Sequence, residues 1–381
     1  MPSSTPSAGF PAHRPFFLLA QVAAIVGSLV WIFPVQEPVT LHLTWLVFGM
    51  GGAAVAGYLL TALPSWTGGT RASAATVWGL VTLWLVTRLL ATFGCPADLA
   101  FVICSIAFHV VLTTTLAVPV LRRRVWRRVP LALAPAVLGA AELALASAPH
   151  GSALSVAAVL LFAALISLVG GRAVPAFVGA ALRSPAAPPA AGPLAPALIG
   201  AATAAVLGGA ESAGGILLAA VGLLILARVR HWSVTRVWKH PGVAMMVLAW
   251  LWLGAGLLLL GAALAGDAGA PAPVTVSTAV HALTMGAMGS MIYAFTARAT
   301  MLRTRGALVP TVPQQIGFLL VLLSPVPRLV PWPDAPTGYT VAVLAWCLGW
   351  ACLVARAVRT LRQPTPWPAL SAAREPRSGV R

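Results

Sequence analysis

Long apolar stretches separated by short polar links run the length of this chain. The stretches are continuous, without the strict alternation of a lipid-facing strand, so they predict helices rather than a barrel. Twelve of them approach the ~20 residues that a helix needs to cross hydrocarbon. They lie near 16–34, 42–63, 73–93, 98–119, 129–147, 151–170, 192–210, 213–228, 241–265, 275–297, 312–332 and 338–358. The predicted fold class is all-α, a polytopic helical membrane protein with about twelve transmembrane helices. A polar tail (1–15) precedes the membrane domain (16–362), and a Pro-, Arg- and Ser-rich tail (363–381) follows it. The first span is expected to remain as a helix rather than be cleaved as a signal. The proline run near 184–193 divides the spans six and six, because proline forbids regular helix there. No sequence repeat relates the two halves.

Composition agrees with the pattern. Of 381 residues, 59% are hydrophobic and 8% charged, against about 25% charged in soluble domains. The net charge of +17 would suit nucleic acid, but its placement argues for topology. Arg71, the run Arg122, Arg123, Arg124, Arg127 and Arg128, then Arg172, Arg183, Arg228, Arg230, Arg236, Lys239, Arg298, Arg303 and Arg305 fall in alternate links. Arg88 and Arg328 alone edge the other set. That asymmetry places both termini in the cytoplasm and the chain in the cytoplasmic (inner) membrane. The partner implied is the lipid bilayer, not nucleic acid. The four cysteines, Cys95, Cys104, Cys347 and Cys352, lack C-x-x-C spacing and read as packing residues.

Candidate chemistry concentrates in Val280 to Met291, where an imidazole sits within an apolar span. Ionisable groups are costly in hydrocarbon, so His281 is a functional candidate. On an α-helix, Met285 and Met288 share its face, and a nitrogen with two thioethers suits haem iron or copper. Packing is the commoner role of such methionines. Gly286 and Gly289 would admit a neighbouring helix or a flat cofactor. His42, at the start of span two, and His281 are expected at similar depth, where facing imidazoles would make a bis-His haem site. Hydrogen bonds to backbone carbonyls are the alternative for each. His109, in the middle of span four, is a third candidate, with a hydrogen-bonded core role favoured. Glu142 in span five is expected to be neutral or paired with His or Arg. Arg172 and Arg298, at span ends, can each hold a haem propionate or anchor a helix at the headgroups.

His13 to Phe17, Gly57 to Gly68, Gly170 to Phe177 and His281 to Arg298 run in order along the chain, and together they resemble the motifs of the NnrS family of membrane proteins. His13-Arg14-Pro15-Phe16-Phe17 is similar to the family's opening R-P-F-F-L. Phe48-Gly49 and Gly57 through Gly68 resemble its F-G and G-F-L-L-T-A-x-P-N-W-T-G. Gly170 through Phe177 resembles G-G-R-x-x-P-A-F, and His281 through Arg298 resembles H-A-L-T-x-G-A-x-G followed by M-T-R. The resemblance implies haem b, possible copper, and a role in nitric oxide or nitrosative stress, with nitric oxide as a diatomic ligand. It also exposes departures. Thr44 and Trp45 stand where the family has a second His and a Glu; Val247 and Arg303 fall where further histidines are expected. None of Thr44, Val247 or Arg303 is a strong ligand. No reaction is legible in the sequence. A cofactor-free transporter, or a family member with a structural role, remains open beside the haem reading.

Overall fold

The computed structural model describes residues 10–370, apart from 34, 36, 70, 95–97, 150, 184–191, 233, 267–273, 305–306, 331–334 and 361–369. The proline run at 184–191, Cys95, His150, Arg305 and nearly all of both tails thus lie outside the described residues. Among the described residues, twelve helices form where the hydropathy placed them. They are α1 (His13–Leu29), α2 (Pro38–Thr67), α3 (Ala74–Phe93), α4 (Leu99–Arg122), α5 (Val129–Ala146) and α6 (Ala153–Leu182). Then come α7 (Leu194–Leu207), α8 (Glu211–Val229) and α9 (Pro241–Ala265). The tenth, α10, runs through Val276–His281, Ala282–Gly289 and Ser290–Arg298, and α11 (Val312–Leu323) and α12 (Ala335–Thr360) follow. Among the described residues, eight helices are long and apolar enough to cross a membrane.

The departures from the predicted spans have local causes. α6 runs through Arg172 to Leu182 as one helix, so Gly170-Gly171-Arg172 is helical rather than a link. α11 stops at Leu323 because Pro325 and Pro327 cannot continue it, and a one-turn helix (Val326–Leu329) follows. A hairpin of β1 (Leu302–Thr304) and β2 (Ala307–Val309), with Arg303 opposite Leu308, has no counterpart in the predicted elements. Helix starts follow ordinary capping. Ser73 accepts from the Thr76 N–H at 3.0 Å, and Thr275 from that of Thr278 at 3.2 Å. Thr311 and Gln314 form a capping box on α11.

The chain divides into two compact units, Met1–Ala158 and Val159–Arg381. The division falls within α6. In the first unit α1 packs along α2, and α4 packs between α3 and α5. The α1–α2 approach is close at Gly57, where a Cβ would stand 2.8 Å from Phe17. In the second unit α9 lies against α8 and α10, and α11 against α12. Glycines set the closest of these approaches. A Cβ on Gly222 would lie 2.6 Å from the Gly254 carbonyl oxygen, and one on Gly261 would lie 2.6 Å from that of Gly215. Small residues permit such backbone approach, and dispersion between the closely packed helices then holds them without help from water.

Candidate functional site

His281 ends the first α-helical segment of α10, half-buried. Its Nδ1 lies 2.7 Å from the Ser277 carbonyl oxygen. Only a protonated Nδ1 can donate to a carbonyl, so this bond selects the tautomer with its lone pair on Nε2. A backbone carbonyl holding one ring nitrogen is the usual support for an imidazole whose other nitrogen binds metal. The next eight residues, Ala282–Gly289, are π-helical. This widened i→i+5 turn has more residues per turn than an α-helix, so the i, i+7 alignment expected for Met288 with His281 does not carry over, while Met285 at i+4 stays near the histidine's side of the helix. Met288 is buried and Met285 half-buried. The two glycines also have protein neighbours. A Cβ on Gly286 would meet the Trp252 ring at 2.6 Å, and one on Gly289 the Trp346 ring at 2.3 Å. Indoles from α9 and α12 therefore occupy the space expected for a flat cofactor at these glycines.

His42 is placed by the same kind of turn in the first unit. The π-helical stretch Thr44–Met50 begins two residues after it. Its Nδ1 lies 2.9 Å from the Gly27 carbonyl oxygen and 2.9 Å from the Trp31 Nε1. One nitrogen cannot donate to the first and accept from the second, so the two bonds belong to opposite tautomers. The Gly27 bond leaves the lone pair on Nε2. The two π-stretches share a pattern that hydropathy does not reveal. Each opens near a histidine, with a threonine followed five residues later by a glycine: Thr44 and Gly49, Thr284 and Gly289. A Cβ on Gly49 would sit 3.2 Å from the Thr44 carbonyl oxygen, and one on Gly289 3.5 Å from that of Thr284. A residue without a Cβ fits where the i→i+5 turn closes.

A buried ionic cluster lies between α3, α4 and α5. Arg88 (2% exposed) forms an ion pair with Glu142 (4% exposed) through Nη2 and Oε1, so Arg88 is an interior residue and not the edge of a link. Its Nη1 donates to the Thr44 carbonyl, tying the cluster to the π-turn of α2. Ser105 donates to Glu142 Oε2 at 2.8 Å, and His109 Nε2 meets the same oxygen at 3.2 Å. The His109 ring packs on Gly139, where a Cβ would come within 2.6 Å of Cγ. Thus His109 is a hydrogen-bonded core histidine, and Glu142 is paired with both Arg and His. Glu142 was legible as a buried carboxylate; Arg88 was not, because its position near the end of a predicted span looked exposed.

The remaining candidates separate. Arg298 is buried, with its guanidinium 4.0 Å from the centroid of the Phe177 ring, a cation–π contact. Arg172 is exposed on α6. Trp232 is buried against Trp250 with ring centroids 5.9 Å apart. Among the described residues no group of three or more His, Cys, Asp or Glu side chains is arranged to hold a metal ion.

The segments that carry the family resemblance are packing positions in this fold. Phe16 and Phe17 pack on Gly57, and His13 Nδ1 lies 3.4 Å from Thr61 Oγ1. Gly170 faces Trp250 and Met291. No curated protein matches the chain. The family described as NnrS protein matches residues 11–365, nearly the whole length. With its apolar helices and its two histidine-led π-turns, the chain belongs to the NnrS family of multi-pass membrane proteins, which is associated with nitric oxide stress.

Proposed function

We propose that this protein binds haem b through His281 and serves tolerance to nitric oxide, with His42 as a separate ligand of haem or copper in its own unit. The observation that carries the reading is the bond from His281 Nδ1 to the Ser277 carbonyl, which presents a basic Nε2 from an irregular helical turn. π-helical turns occur often at functional sites. His42 supports the reading through its bond to Gly27, in the tautomer that bond selects. Met285 is the soft donor nearest in sequence, and Arg172, exposed on α6, is a cation suited to a propionate. A haem held by His281 would supply an iron able to bind nitric oxide. The chain's part is to hold the imidazole in one tautomer and surround it with apolar helices. Each position offers one imidazole, His281 in the second unit and His42 in the first, to hold such a group, and copper is proposed as a partner of His42.

The test is an absorption spectrum with metal analysis on protein purified from haem-replete cells. A Soret band that falls at least several-fold in H281A is expected, with H42A giving a smaller or separate loss. A colourless preparation free of iron and copper sinks the proposal. Transport without a cofactor is the second reading, favoured by the buried Arg88–Glu142 pair, because ionisable groups inside a bundle often mark substrate or ion pathways. Uptake into proteoliposomes by metal-free protein would support it.

A further inference from the structure

The first unit holds an ionisable cluster that the haem reading does not use. Its members come from every helix around it: Arg88 from α3, Ser105 and His109 from α4, Glu142 from α5, and the Thr44 carbonyl from α2. All four side chains are at least nine-tenths buried. The carboxylate's oxygens are used unequally. Oε1 faces Arg88, whereas Oε2 takes both Ser105 and His109. An ionised carboxylate only accepts, so His109 donates to it from Nε2–H. The opposite ring nitrogen, His109 Nδ1, is buried and meets no donor or acceptor among the described residues. Arg88 Nε is likewise unpartnered there. Buried polar atoms without partners are rare enough to require an explanation.

We propose that the His109–Glu142 pair is a proton-binding site in the interior of the first unit, independent of haem or copper. A proton drawn from water bonds to the lone pair on Nδ1. The Nε2–H stays on Glu142 Oε2, and the ring becomes an imidazolium held by the carboxylate. The cluster then gains one positive charge, and release of the same proton returns it to neutrality. Histidine suits this role because its two forms interconvert near physiological pH. Arg88 holds Oε1 throughout, so the carboxylate stays in place while the ring changes charge. Gly139 is the physical reason that the ring can sit so close to α5. Arg88 also ties the pair to α2, since the guanidinium that faces Glu142 holds the carbonyl at the start of the π-turn.

The measurement is nitrogen NMR of histidine-labelled protein in nanodiscs between about pH 5 and 9, with the His109 signal assigned by its loss in H109Q. The expected result is an Nε2–H tautomer that converts to imidazolium as pH falls. In E142Q the imidazolium form should be lost from that range. In S105A, which keeps the ion pair and removes one donor from the shared oxygen, the midpoint should move. A His109 signal that keeps one form throughout, or that titrates identically in wild type and E142Q, overturns the proposal. If E142Q does not fold, an unmoved midpoint in S105A overturns it instead. The Soret test of the haem reading is separate, so either proposal can fail without the other.

Discussion

At the scale of single residues, the buried Arg88–Glu142 pair has the largest predicted consequence. Each charge has left water and depends on the other, with Ser105, His109 and the Thr44 carbonyl completing the bonds. Removing one partner leaves an uncompensated charge, which costs about 3–5 kcal/mol. R88A should therefore lower the thermal unfolding midpoint sharply. The apolar double variant R88M/E142L should recover much of the loss, because it removes both desolvation costs. Equal midpoints for R88A and the double variant would contradict this account. The sequence made Glu142 legible, since a lone carboxylate in an apolar span must find a partner. It left Arg88 at a span edge, because pairing across three helices has no signature in local hydropathy.

At the scale of elements, helix positions follow hydropathy, whereas close approaches follow glycine. The α8–α9 contact depends on Gly222 and Gly261 facing backbone oxygens at 2.6 Å. G261A places a methyl group 2.5 Å from the Ala219 backbone nitrogen, and overpacking of this kind costs about 1–3 kcal/mol. G200A, with nothing within 4 Å of its new Cβ, should be neutral or slightly stabilising, since alanine favours helix by ~1 kcal/mol. Thermal unfolding in detergent distinguishes them, and equal midpoints would reject the contact as described. The π-turns belong to this scale too. Hydropathy reports that a segment is buried, but an extra residue per turn changes which side chains align. This is why the i, i+7 spacing of His281 and Met288 does not mean a shared face here.

For the whole molecule, the charge asymmetry predicts an orientation. In a cysteine-free background, R124C should react with a membrane-impermeant maleimide only in inverted vesicles, and A148C only from the opposite side. Labelling of both from one side would refute the alternating topology. The sequence alone determined that this is a multi-pass helical membrane protein of the NnrS family, because continuous apolar length and ordered motifs are local properties that survive without neighbours. Tertiary structure alone decided which polar groups are satisfied and by whom. It placed Arg88, Ser105 and His109 around Glu142, turned the indoles of Trp252 and Trp346 onto Gly286 and Gly289, and opened π-turns beside His42 and His281. Inside hydrocarbon a buried polar group must find its partner within the protein. That partner can come from anywhere along the chain, so packing rather than sequence spacing selects it.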